Sequence, residues 1–334
     1  MSHQHHTNCA CCKLSRRCFL AVSSAVLASP VLSAEAKEKV LSGTGCEYID
    51  AASFRPKPTV RVTTAFLRLP PPYWLGWPGT SYDLDGRRAD YTRCLVNGAK
   101  QVGVDLRIQG DPIENDQQLE EFTRSLEADK PDAVFLVLQH FGIWHWADAV
   151  SKKGVPLVIF APVGTAFTGH VHEISRRPGV YVISSLETDA LVQALRMVRA
   201  KRQFEESRVL VVAGEQRNDT VLERLGTKVR TVPRQDLPAM FESTPVTDEV
   251  KQVAREMRRR AKKVVEPTQT DLVNAARSFV AAKRLLKQEE ANAITTDCLG
   301  MVAMKDVPTP PCMAASLFQD SGITYGCEAD LFGA

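Results

Sequence analysis

From Thr59 onward, short unbroken apolar runs alternate with longer segments whose apolar residues recur at helical spacing. That alternation restricts the fold more than any other property of the chain. "TVRVTTAFL" is β-branched and strand-like, "DGRRADYTRCLVNGAKQVG" is helical and ends at Gly103, and "VDLRIQG" is a second strand. "DQQLEEFTRSLEAD", "DAVFLVLQ", "WADAVSKKG", "VPLVIFAP", "GVYVISS", a helix over about 186–204 and "RVLVVAG" continue the series. Strands apolar along their whole length are buried on both faces, which parallel sheets covered by crossover helices require. The pattern resumes with "TKVRTV", helices near 246–263 and 268–289, "NAITTDCLG", a short helix in "CMAASLFQDSG", and "ITYGCE". The fold class expected is α/β: two consecutive doubly wound parallel-sheet domains, residues 59–180 and 181–334. A polar linker over 37–58, ending in "RPKP", precedes them.

Hydrophobic residues at 44% and charged residues at 24% are globular values. A net charge of +3 gives no field for a polyanion, and the basic run "REMRRRAKK" (255–263) lies in a helical pattern as a solvated face. No nucleic-acid partner is expected.

The N-terminus carries an address. Arg16 and Arg17 precede an apolar stretch from Phe19 to Leu32, shorter than the roughly 20 residues a bilayer span needs. Ala34-Glu35-Ala36 then offers a small-x-small cleavage site. Residues 1–36 therefore form an export signal, and S-R-R-x-F-L resembles the twin-arginine type. The expected partner is the twin-arginine translocase and the expected location periplasmic or otherwise extracytoplasmic. His3, His5, His6, Cys9, Cys11 and Cys12 lie in the removable part and lack the paired spacing of a structural zinc site. Beyond the cleavage site remain Cys46, Cys94, Cys298, Cys312 and Cys327, an odd number. One disulfide and buried thiols are both open readings.

In open α/β sheets ligands bind beyond the carboxyl ends of the strands. The loop after the first strand, "RLPPPYWLGWPGT", presents Tyr73, Trp74 and Trp77. "QHFGIWHW" presents Gln139, His140, Trp144 and His145, and "APVGTAFTGHVHE" presents His170 and His172. Aromatic faces beside neutral donors and acceptors suit a sugar, and equally suit a plug for the end of a sheet. No G-x-G-x-x-G, Walker or G-x-S-x-G motif is present, which disfavours nucleotide cofactors and the common serine hydrolases.

"NAITTDCLGMV", "PTPPCMAASLFQDSGI" and "CEADL", in that order, resemble the end of the middle domain of L-fucose isomerase-like proteins. The related L-arabinose isomerases carry a similar acidic stretch. "LVLQHFGIWHW" followed by "VPLVIFAPVGTAF" is similar to the first domain of that family, and the likeness runs over about residues 59–334. It implies a metal-dependent aldose–ketose isomerase, an intramolecular oxidoreductase in which Mn²⁺ holds the sugar oxygens while carboxylates move a proton. Glu328 matches the family's first metal-binding carboxylate, Asp330 the acidic residue two positions on, and His140 the first-domain histidine that reaches the sugar. Asp297 and Cys298 match positions near the site. Gln139, Trp74 and Trp77 are candidate sugar contacts. The family's second carboxylate and its histidine ligand belong to a C-terminal barrel-like domain beyond the matched segment, and no histidine follows His172. The resemblance thus implies an isomerase-like chain needing completion, with a homo-oligomer as its expected assembly. The alternative is a non-catalytic periplasmic carbohydrate-binding protein.

Overall fold

The computed structural model describes residues 47–71, 83–162 and 164–331. The signal segment, the first part of the linker, and Tyr73, Trp74 and Trp77 lie outside the described residues.

The first sheet collects the strands β1 (Arg61–Leu67), β2 (Asp105–Ile108), β3 (Ala133–Leu138), β4 (Leu157–Ala161) and β5 (Val180–Ser184). All pair in parallel in the order β2-β1-β3-β4-β5. Between them run α1 (Leu84–Val102), α2 (Asp116–Asp129), α3 (Trp144–Ser151) and α4 (Thr168–Ile174), and α5 (Asp189–Glu206) follows β5. The two-residue period of a strand is written into β3. Ala133, Phe135 and Val137 join the core under α1 and α5, while Val134, Leu136 and Leu138 join the core under α2 and α3. Each such large side chain contributes about 1.5–3 kcal/mol by leaving water, so neither face tolerates a polar register. Asp83 starts α1 by accepting a hydrogen bond from Gly86 N at 2.9 Å, and Gly103 ends it at φ 74°, the left-handed stop that favours glycine.

The second sheet runs β10-β9-β6-β8-β7, from β6 (Arg208–Gly214), β7 (Asn218–Leu222), β8 (Thr227–Pro233), β9 (Ala293–Thr296) and β10 (Tyr325–Gly326). Its helices are α6 (Asp236–Ser243), α7 (Asp248–Arg260), α8 (Gln269–Gln288), α9 (Cys298–Ala303) and α10 (Cys312–Asp320). Leu210, Val212, Val232 and Ile294 pack under α6, α7, α8 and α10 in a single core cluster. Ala275, Ala276, Ala281 and Ala282 are all buried, and their small side chains let α8 lie close to neighbouring elements.

The two-sheet α/β architecture is therefore present, with three differences from the expectation. First, the second sheet is mixed: β7 pairs antiparallel with β8, so a strand stands where the sequence pattern leaves a gap. Second, the chain does not leave the first sheet near residue 180. β5 is hydrogen-bonded to β4, α5 packs on the same sheet, and the passage comes at Ser207. Third, the described end of the linker is docked. Residues 47–55, with a 3₁₀ turn over Ala51–Phe54, lie on the second sheet's helices. Ala51 enters that core, Lys283 Nζ donates to Ile49 O at 2.6 Å, and Asn292 Nδ2 donates to Phe54 O at 2.9 Å. None of the described helices is long and apolar enough to cross a membrane.

Candidate functional site

The connections of the first sheet diverge between β1 and β3, and its strand ends there form the place where α/β sheets take ligands. Gln139 follows β3 directly, is fully buried, and donates Nε2 to Leu84 O at 2.8 Å, tying the end of β3 to the start of α1. His140 is buried as well. Its Nδ1 accepts from Gly142 N at 2.9 Å and caps the 3₁₀ turn Phe141–Ile143.

From His140 a row of rings crosses the ends of β3 and β4. His140 stacks on Phe141 (4.6 Å), Phe141 meets Phe167 edge-on (5.7 Å), Phe167 leans on His170 (5.8 Å), and His170 stacks on Trp144 (5.6 Å). The buried Trp144 anchors the row by donating Nε1 to Thr165 O at 2.7 Å. Phe167 is the exposed member, at 52% of its free surface. Burial alone does not place a large apolar ring there, and it has the geometry of a stacking surface. His145 is exposed and tilts against Trp146, whose Nε1 donates to Asp116 Oδ1 at 2.7 Å; His172 is exposed on α4.

Across the end of β4, on the α1 side, lies a hollow of about 440 Å³. Arg87, Asp90, Arg93 and Asn97 line it from α1, with Pro162 just past β4 and Thr188 just before α5. Arg93 and Asp90 are ion-paired. Cys94, also in the wall, donates its thiol to Thr188 O at 3.3 Å, and burial pushes that thiol up. Guanidinium, carboxylate and carboxamide groups in one hollow supply the donors and acceptors that hydroxyl-rich ligands need. The sequence reading missed these four residues, having followed only the apolar stripe of α1. The available signal was spacing: Arg87, Asp90 and Asn97 share one helix face with Cys94, and Arg93 stands at its edge.

Glu328 and Asp330 sit elsewhere, in one turn beyond β10 of the second sheet. Glu328 and Ala329 both take left-handed φ values of 56°, and Ala329 N donates to Thr296 O at 2.9 Å while Asp330 N donates to Cys327 O at 3.0 Å. Both acidic residues are exposed. Asp297 caps α9 through Gly300 N at 3.0 Å and faces Arg234 at 3.5 Å. The structure thus puts Glu328 with Asp330, and Gln139 with His140, on strand ends of different sheets. Among the described residues no three His, Cys, Asp or Glu side chains are grouped so that they could hold a metal ion. Mn²⁺ takes roughly six hard ligands in sites of this kind. The turn at Glu328 does not fit such an ion by itself.

No protein-family model matches the chain, and no curated protein matches it. Among solved structures it is similar to a mutant of the XylFII–LytSN complex at 12% identity, over 82% of this chain and 99% of that one, with a TM-score of 0.25. A likeness of that size carries no argument, so the reading of the site rests on its own geometry.

Proposed function

We propose that the carboxyl end of the first sheet binds a carbohydrate, in a protein exported to an extracytoplasmic space by the twin-arginine translocase. One observation carries this reading: the ring row with exposed Phe167 at its middle and the polar hollow of Arg87, Asp90, Arg93 and Asn97 flank the end of β4 from its two sides. A sugar has an apolar C–H face and a girdle of hydroxyls, and these two surfaces match those needs. Calorimetric titration of a panel of mono- and oligosaccharides tests it. Binding that weakens about two- to tenfold in Phe167→Ala, with an unchanged melting temperature, supports the site. If no sugar binds, or if Phe167→Ala binds as well as wild type, the reading fails.

The backbone at Glu328 favours a second reading, a metal-dependent aldose–ketose isomerase completed by ligands from outside the described residues. Two consecutive non-glycine residues in left-handed conformation cost roughly 1–3 kcal/mol each, and such strain concentrates at functional sites. Titrating Mn²⁺ into wild type and Glu328→Gln separates the readings. Weaker Mn²⁺ binding by the variant favours the isomerase; equal affinities, or sugar binding indifferent to Mn²⁺, count against it. A homo-oligomer would suit a site that borrows residues, and its mass in solution is directly measurable.

A further inference from the structure

The basic run of the sequence closes α7 and continues into the loop that leads to α8. α7 ends on Arg258, Arg259 and Arg260, and Ala261 N donates to Met257 O at 3.1 Å to finish it. α8 starts at Thr268, whose Oγ1 accepts from Asp271 N at 3.2 Å. Between these two fixed ends the chain is neither helix nor strand, and every residue over 261–270 is exposed. The crest of the loop carries Lys262, Lys263, Val264 and Val265, with Val265 at 73% of its free surface.

Residues 255–266 hold six basic side chains and two carboxylates, a local charge of +4 in a chain whose net charge is +3. Positive charge is therefore concentrated on this helix end and loop. Glu256 is shared between Arg259 at 2.6 Å and Arg260 at 3.4 Å, and Asp271 of α8 is taken up by Thr268 N and Oγ1 at 2.8 and 2.7 Å. Arg260 also borders a hollow that holds Asp50 and Asp320, so the outward charge comes chiefly from the other five cations. Arginines in a last turn complement the helix dipole, which accounts for Arg258 to Arg260. That account stops at the helix end and does not reach Lys262 and Lys263. Nor does the packing of α7 or α8 call for two solvated valines beside them.

Cations around a short apolar tip match a surface that has anionic headgroups above an acyl layer. A polyanion such as a nucleic acid would use the charges and leave the valines in water. We propose that the α7–α8 loop docks the protein on an anionic phospholipid bilayer, with Lys262 and Lys263 at the headgroups and Val264 and Val265 inserted beneath them. The contact is peripheral, since none of the described helices is long and apolar enough to cross a membrane. It is separate from the sugar site, which belongs to the first sheet.

Cosedimentation of the full chain with vesicles of phosphatidylcholine, alone or with about 30% phosphatidylglycerol, tests this. The wild type should favour the anionic vesicles and lose that preference in about 0.5 M salt. Lys262→Gln with Lys263→Gln should weaken anionic binding about tenfold, and Val264→Ser with Val265→Ser about two- to tenfold at unchanged charge. The apolar stretch at 19–32 is common to all three proteins, so the readout is the change each pair of substitutions makes. Equal affinity for the two kinds of vesicle, or anionic binding that either pair leaves unchanged, would overturn the assignment. If the lysine pair alone matters and duplex DNA displaces the vesicles, the surface is a polyanion contact instead. All four positions are exposed, so both variants should keep the wild-type melting temperature, which separates a lost contact from lost folding.

Discussion

Lys283 is a lysine at 2% exposure, and it survives there because four groups surround its ammonium: the Glu249 carboxylate, Ile49 O, and the faces of Tyr48 and Phe279 at 5.0 Å each. Removing one member of a buried pair strands the other charge, so Lys283→Met should cost about 3–5 kcal/mol in denaturant unfolding. Lys283→Met combined with Glu249→Leu should recover most of that loss, because no charge is left buried. Burial lowers the Lys283 pKa below the ordinary 10.5, with Glu249 and Asp50 opposing the shift. Between the lowered value and 10.5 the unfolded chain binds more protons than the folded one. This residue's contribution to stability therefore rises with pH across that window. Wild-type unfolding measured toward alkaline pH, with the double variant as baseline, should show the slope; a flat difference would contradict it. Nothing in the residue order announced this pair, since Lys283 sits in an otherwise apolar helix stripe and Glu249 lies 34 residues earlier in the chain.

At the level of elements, the β7–β8 hairpin is fixed by charge. Arg230 grips Asp219 at 2.5 and 2.9 Å and reaches Glu289 at 3.0 Å, while Arg217 joins Glu289 at 2.9 Å and Asp236 at 2.6 Å. Burial works to raise the Glu289 pKa, but the bonds from Arg217, Gln288 and Arg230 outweigh it and hold the carboxyl below its usual 4.5. Its stabilisation is therefore complete above about 4.5 and is lost as pH falls through the lower folded value. Glu289→Gln should cost about 1–3 kcal/mol at neutral pH and flatten the acid limb of the stability curve; an unchanged acid limb would refute the assignment. This hairpin also marks where sequence reading stops. β3 and β4 were legible because every residue is apolar, and α8 because its apolar stripe is long. "NDTVL" is exposed at four of its five positions, so no hydrophobic period marks it as a strand. The ring row was half legible: its histidines and Trp144 stood out, but Phe141 and Phe167 became notable only once their exposure and contacts were known. Glu328 and Asp330 were legible as an acidic pair, whereas their separation onto a different sheet from Gln139 and His140 depends on topology.

Taken whole, the molecule is not two beads in series. Residues 47–55 belong with the second sheet, residues 61–206 build the first, and the chain then returns to finish the second. A chain beginning at Lys57 should keep the first sheet and lose stability in the second. Hydrogen exchange would read this as faster exchange along α8 and α10 with β1–β4 unchanged; uniform exchange throughout would contradict it. The bonds holding the strap join residues far apart in the chain: Ile49 to Lys283, Phe54 to Asn292, and Arg55 Nε to Ser321 O at 2.6 Å. During synthesis the strap emerges before either sheet, and its dock on α8 and α10 emerges after the whole of the first sheet. The first sheet can close while the ribosome is still at work, but the second must wait for α8 before its earliest-made piece can begin to settle, and for α10 before all three bonds form. Docking of the strap then reports that the second sheet's helices have all been made: a nascent chain cut short before α8 would carry a folded first sheet and a loose strap.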